Sequence, residues 1–298
     1  MFNSSKTLAE QNLYHNLIEH VNLLGFIIAL IGICLNFLSY HTANHFKQRN
    51  SSITLIKCLA VWDAIAIFQD GIINLGGSYF NYNFADVNSY ICKLFFWHGW
   101  GSTLAAIYHM TALSVDRALA IVAPIWFKQY SKPQLAYKIS TLLVVFSYII
   151  VIFNLYLFDI VDGQCRFAYH PEFVFWYITI IFFVIMSSLP ILVIFTTNVL
   201  FVYKVRNLEK TNEAERRLTM MLIASSIAFL ILIGSYMLLE FIIFAIIPTS
   251  MEEVTYIEFW EKSAELFAII NSSVNFIFYF ISGPMFRNAF FSLLKSLL

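Results

Sequence analysis

The sequence predicts an all-α membrane protein, a seven-transmembrane helix bundle followed by an amphipathic helix on the membrane surface. Three observations predict it. The 298-residue chain is 60% hydrophobic and only 12% charged, which is more apolar surface than one soluble core can hide. Seven apolar runs are each long enough to cross roughly 30 Å of hydrocarbon as a helix. The basic residues also segregate: fourteen of the 18 Lys and Arg fall on one side of the seven-span arrangement, and only Lys6, Lys93, Arg166 and Lys262 on the other.

The runs lie at residues 21–40, 52–75, 91–121, 135–158, 173–202, 217–247 and 258–281. Only helices or closed barrels satisfy their backbone in lipid, and runs this long and uninterrupted point to helices. The charge asymmetry places the N-terminus outside the plasma membrane and the C-terminus in the cytoplasm. The chain divides accordingly into an extracellular tail (1–20), the membrane domain (21–281) and a cytoplasmic amphipathic helix (282–298), in which Phe286, Phe290, Leu294 and Leu297 share one face. Residues 1–20 are polar and acidic, so no cleavable signal peptide is expected and the first span serves as its own anchor. Asn3-Ser4-Ser5 is an outward glycosylation sequon, whereas Asn50-Ser51-Ser52 faces the cytoplasm and Asn271-Ser272-Ser273 lies inside the seventh span.

Short loops, the longest from about Tyr203 to Arg216, leave no room for a soluble enzymatic module. His41, His45, His98 and His109 are dispersed, so no enzyme activity is expected. A transporter would show inverted repeats or broken helices, and neither is visible. No nucleic-acid partner is expected, and the bilayer is the first partner.

One helix carries Cys92 at one end and, 25 residues on, Arg117 at the other. Gly32-x-x-x-Asn36, Leu59-Ala60-Val61-Trp62-Asp63, Cys92, Asp116-Arg117-Ala118, Pro124, Pro190 and Asn275-Phe276-Ile277-Phe278-Tyr279 occur in order along nearly the whole chain. Together they resemble the rhodopsin-like (class A) G-protein-coupled receptors. Arg217-Leu218-Thr219 and the Asn275 to Phe290 stretch look most like the neuropeptide branch, close to invertebrate FMRFamide-like receptors. The chain also departs from the pattern. Ala118 replaces a tyrosine, Asn198 replaces the fifth-span tyrosine, and no tryptophan lies between Trp126 and Trp176. Ile233 and Ser235 stand where the family has a tryptophan switch and a kinking proline, and the seventh-span motif has lost its proline.

The resemblance implies roles. Cys92 and Cys165 are the only cysteines expected outside, and a bridge between them would tie the third span to the loop before the fifth. Asp63, costly in the bilayer, has Asn36, Asn271 and Asn275 as neighbours, forming either a sodium site or a static polar network, with Ala106 where a serine ligand is common. No other cofactor is expected. Asp116, Arg117, Glu215, Asn275 and Tyr279 form the activation switch: Glu215 pairs with Arg117 at rest, their separation exposes a groove for a heterotrimeric G protein, and Tyr279 swings inward.

Gly99 sits where amine receptors carry an aspartate, and Ile269 where opsins carry the retinal lysine, which argues against both ligand classes. The outer half is rich in acid: Asp70, Glu240, Glu261 and Glu265 within the spans, and Asp86, Asp159 and Asp162 in the loops. Such a field favours a cationic ligand, foremost a short arginine-containing peptide with an amidated end, with Trp97, His98 and Trp100 packing its aromatic or cationic groups. The alternative is a chemosensory receptor of the same fold.

Overall fold

The protein is described here from a computed structural model. The structure describes residues 2–46, 50–168, 173, 176–177, 179–207, 213–245 and 251–297. Among these, side chains at 2–11, 182–183, 202, 204–207, 213–219, 221, 240–241, 243–245, 251–254 and 297 are outside the description.

Seven helices among the described residues are long and apolar enough to cross a membrane: Asn12–Asn44, Ser51–Tyr79, Ser89–Val122, Pro133–Leu157, Thr179–Phe201, Leu222–Leu239 and Thr255–Ser282. Each coincides with one predicted run. The first helix begins earlier than its apolar run, because the polar stretch before residue 21 continues it; the element spans Phe2–Asn44.

Local chemistry sets the helix ends. Asn50 and Asn88 cap the second and third spans, their side chains accepting from Ile53 N (3.1 Å) and Ile91 N (2.9 Å). Pro124 and Pro133 sit at the first positions of the short helix Pro124–Tyr130 and of the fourth span, where a missing N–H costs nothing. Two spans widen into π-helical turns, at Phe68–Gly76 and Thr179–Ser188. The second of these ends just before Pro190, which cannot donate to the ladder, so the carbonyls ahead of it regroup. The sixth and seventh spans hold no proline and run unbroken as Glu213–Ala245 and Met251–Ser282, apart from the terminal turns.

The third span is central, packing against the second, fourth, fifth and sixth, while the seventh closes the ring between the first and sixth. Tyr148 packs the fourth span against the third and second. It stands against Gly101, where an added Cβ would lie 2.8 Å from the ring, and its ring lies 6.0 Å from that of Trp62.

A two-stranded hairpin fills the connection between the fourth and fifth spans: β1 (Phe158–Val161) pairs antiparallel with β2 (Gln164–Phe167). Its turn is Asp162-Gly163, both in the left-handed region (φ 52° and 81°), the geometry a two-residue hairpin loop requires.

The final helix Pro284–Leu297 folds back on the first and seventh spans. Arg287 donates to the carbonyls of Phe280 (3.0 Å) and Ile281 (2.8 Å), satisfying orphan acceptors at the end of the seventh span. Phe286, Ala289 and Leu293 are buried, whereas Leu294 is 39% exposed. The burial follows spacings of three and four from Phe286, a stripe that Leu294 misses by a further residue.

Candidate functional site

At the Cys92 end, a cavity of about 100 Å³ is walled by the second, third, fifth, sixth and seventh spans. Asp70, Trp100 and Glu265 line it, with Gln69, Asn74, Thr103 and Tyr236 beside them. Asp70 and Asn74 both belong to the π-helical stretch. Thr103 Oγ1 donates to Asp70 Oδ2 at 3.1 Å, and Asn74 Nδ2 to Glu265 Oε1 at 3.1 Å.

The expected excess of acid is partly cancelled. Lys262 lies three residues before Glu265 on one helical face, and its Nζ stands 3.1 Å from Glu265 Oε2. Both side chains are largely shielded, at 14% and 21% exposure, so the pair is not a loose surface bridge. Asp70 has no ion-pair partner among the described residues and accepts from Thr103.

Three sequence-predicted ligand residues stand away from this cavity. Trp97 Nε1 donates to Tyr148 O at 3.1 Å, and His98 Nδ1 shares a 2.7 Å hydrogen bond with Tyr148 Oη, so both turn toward the fourth span. Consecutive helical residues point about 100° apart, and from the third span it is Phe95, Phe96, Gly99, Trp100 and Thr103 that line the cavity. Glu261 lies on the exposed surface of the seventh helix and does not line the cavity. The side chain of Glu240 falls outside the described residues, as does that of Asn3.

The hairpin roofs this region. Cys92 and Cys165 form a disulfide with Cα atoms 5.5 Å apart, as the sequence predicts. Phe158 stacks on Phe96 with centroids 3.9 Å apart, and Asp86 Oδ1 accepts from Cys165 N at 2.6 Å. Lys93 Nζ lies 3.0 Å from Asp159, and hydrogen bonds from Ser89 and Lys93 hold the Asp159 carboxyl down to about 2.

A second, narrower cavity continues inward, sharing Asp70 and Thr103 with the first and reaching Asp63, Asn271, Ser272 and Asn275, with Phe229 and Ile233 on its wall. Here the polar groups bind one another. Asn275 Nδ2 donates to Asp63 Oδ2 at 2.8 Å, and Ser225 Oγ to Asn275 Oδ1 at 3.1 Å, joining the second, seventh and sixth spans. Asn36 is close in space to this cluster but bonds backbone: its Nδ2 donates to Gly32 O (3.0 Å) and Ser272 O (2.8 Å). Gly32 is required for this approach, because a Cβ there would strike the Ser273 side chain. Tyr279 is already buried, at 1% exposure. Asp63, Asn271 and Ser272 line one cavity, and Ala106 adds no side-chain oxygen to it.

At the Arg117 end, Asp116 binds Arg117, with Arg117 Nη2 to Asp116 Oδ2 at 2.7 Å. Sequence reasoning missed what holds Asp116. Ser51 Oγ donates to its Oδ1 at 2.5 Å, Ser52 Oγ donates to its Oδ2, and Ser51 also meets Ser131 Oγ at 2.7 Å. The Asn50-Ser51-Ser52 triplet is therefore the N-cap and first turn of the second span, presenting hydroxyls to a carboxylate at a helix N-terminus. The Arg117 guanidinium also lies 5.2 Å from the Phe127 ring centroid. Ser226 Oγ donates to Asn198 Oδ1 at 3.0 Å, linking the fifth and sixth spans where the family tyrosine is absent. Glu215 falls in the first turn of the sixth helix, and its side chain lies outside the described residues.

No curated protein matches the chain at a significant level. The family 7 transmembrane receptor (rhodopsin family) matches residues 37–279, a stretch that runs from the first span through Tyr279 and holds both cavities and both ends of the third span. With its seven spans and the disulfide from the third span to the hairpin, the chain belongs to the rhodopsin family of seven-transmembrane receptors.

Proposed function

We infer that the protein is a plasma-membrane receptor, N-terminus outside, that binds a cationic ligand in the Asp70–Glu265 cavity and activates a heterotrimeric G protein at its Arg117 end. The observation that carries this reading is two carboxylates, Asp70 and Glu265, facing one cavity, of which only Glu265 is paired with a lysine among the described residues. An uncompensated acid in a membrane span is costly, and a ligand cation compensates it. A short peptide with an arginine side chain or amidated end is the preferred ligand. The cavity holds about 100 Å³, so one residue of such a peptide enters while the rest lies against the hairpin. The same small volume suits a compact cationic chemosensory ligand, which is the second reading.

In this reading Asp70 is the anchor and Glu265 the exchangeable partner. A ligand cation would compete with Lys262 for Glu265 and draw the second and seventh spans together. Those spans also carry Asp63 and Asn275, so movement at the outer cavity reaches the inner network through two shared helices. A sodium ion held by Asp63, Asn271 and Ser272 would supply countercharge that favours the resting packing. Asp116 and Arg117, with Glu215, Asn275 and Tyr279, would form the output that the G protein reads.

The test is guanine-nucleotide exchange on purified heterotrimeric G proteins, with amidated arginine-containing peptides screened against wild type, Asp70→Asn, Glu265→Gln and Arg117→Ala. The reading expects a wild-type response lost in Asp70→Asn and Arg117→Ala, and shifted to higher peptide concentration in Glu265→Gln. A response retained in Asp70→Asn would sink the anchor assignment.

A further inference from the structure

Between the third span, the short helix Pro124–Tyr130 and the fourth span lies a cavity of about 250 Å³ that touches neither the ligand cavity nor the Asp63 network. Its wall is almost wholly apolar, built from Val115, Leu119, Trp126, Tyr130, Leu135 and Ile139. Trp126 (48%), Tyr130 (43%) and Leu135 (38%) are themselves exposed, so the cavity opens on the outer face of the bundle, where a membrane protein meets lipid. Its chemistry changes at one end. Ser51, Ser131 and Asp116 close it, and Lys128 and Lys132 flank Tyr130 and Ser131 along the chain. Both lysines are exposed, and neither forms an ion pair among the described residues.

We propose that this cavity is a binding site for one anionic phospholipid of the leaflet at the Arg117 end, its acyl chain seated between the third and fourth spans and its phosphate on Lys128 and Lys132. Charge complementarity selects the headgroup, because exposed lysines beside an apolar slot attract anionic over zwitterionic lipid. A soluble apolar ligand would gain nothing from them. The site has a structural consequence. Asp116 lines the cavity and binds Arg117, and Phe127, another wall residue, lies 5.2 Å from the Arg117 guanidinium. A bound lipid would brace these two contacts of Arg117, making the composition of that leaflet a regulator of the receptor's inner end.

The test uses the full chain in phosphatidylcholine vesicles containing trace photoreactive phosphatidylserine or photoreactive phosphatidylcholine, each with the reactive group on the acyl tail. Cross-linked peptides are mapped by mass spectrometry. The proposal expects phosphatidylserine to label the 115–143 region in preference to phosphatidylcholine. Lys128→Gln and Lys132→Gln, both on exposed positions that leave the fold intact, should each weaken that labelling about fivefold. Val115→Phe, which fills the cavity, should remove it. Equal labelling by the two lipids, indifference to both lysine substitutions, or displacement by unlabelled cholesterol would each overturn the assignment.

Discussion

The two ends of the third span are held in opposite ways. At Cys92 the holding is covalent and aromatic: the disulfide to Cys165 and the Phe158–Phe96 stack bind the hairpin to the span. At Arg117 it is polar and reversible: two serine hydroxyls on Asp116, one ion pair and one ring contact. Such bonds are worth about 0.5–3 kcal/mol each and re-form once broken, whereas a native disulfide contributes about 2–5 kcal/mol and holds permanently. A molecule built this way keeps a fixed frame around its outer cavity and reserves its breakable contacts for the other end.

Breaking the fixed end should have the largest effect. Cys165→Ser opens a link between positions 73 residues apart and should cost about 2–5 kcal/mol, read as a fall in Tm of the detergent-solubilised protein. The middle of the bundle comes next. Asn275→Ala strips Asp63 of its 2.8 Å donor and Ser225 of its acceptor, and should cost about 1–3 kcal/mol in the same assay. Gly32→Ala drives a methyl to within 2.8 Å of the Ser273 Cβ and should cost about 1–3 kcal/mol, part of it recovered in the double variant Gly32→Ala/Ser273→Gly.

The reversible end should show smaller stability effects and larger functional ones. Ser52→Ala removes one donor to Asp116 and should cost about 1 kcal/mol while raising basal guanine-nucleotide exchange. The smallest effect is a pH dependence at the hairpin. Asp159 is held down to about 2, below its unfolded value near ~3.9, so its contribution is complete above that value and is lost as pH falls through about 2. The protection factors of the β1 amides, which are exchange rates corrected for the intrinsic pH dependence, should therefore fall below about pH 4 in wild type, and Lys93→Gln should reduce that dependence.

The seven spans, the disulfide and the position of Asp63 beside Asn275 were legible because each rests on apolar length or on residues whose order along the chain is itself informative. What was lost depended on helical phase and on partners far apart in sequence. Trp97 and His98 are adjacent to Trp100 in the chain, yet they face Tyr148 because neighbouring helical residues diverge. The pairing of Lys262 with Glu265 is legible in their spacing of three, which sets the two side chains on one helical face. The Asp162-Gly163 dipeptide carries a hairpin signal, but it sits between strands of four residues, too short to stand out by apolar length. The contact of Ser51 and Ser52 with Asp116, 65 and 64 residues away, has no local signature.

Hydrogen-exchange mass spectrometry of the unliganded protein in bilayer discs tests the contrast between the two ends most directly. The account predicts slow exchange in the hairpin at 158–167 and exchange at least tenfold faster in the 123–132 stretch, since local opening follows the weakest contacts. Equal protection at both ends, or faster exchange in the hairpin, would contradict it.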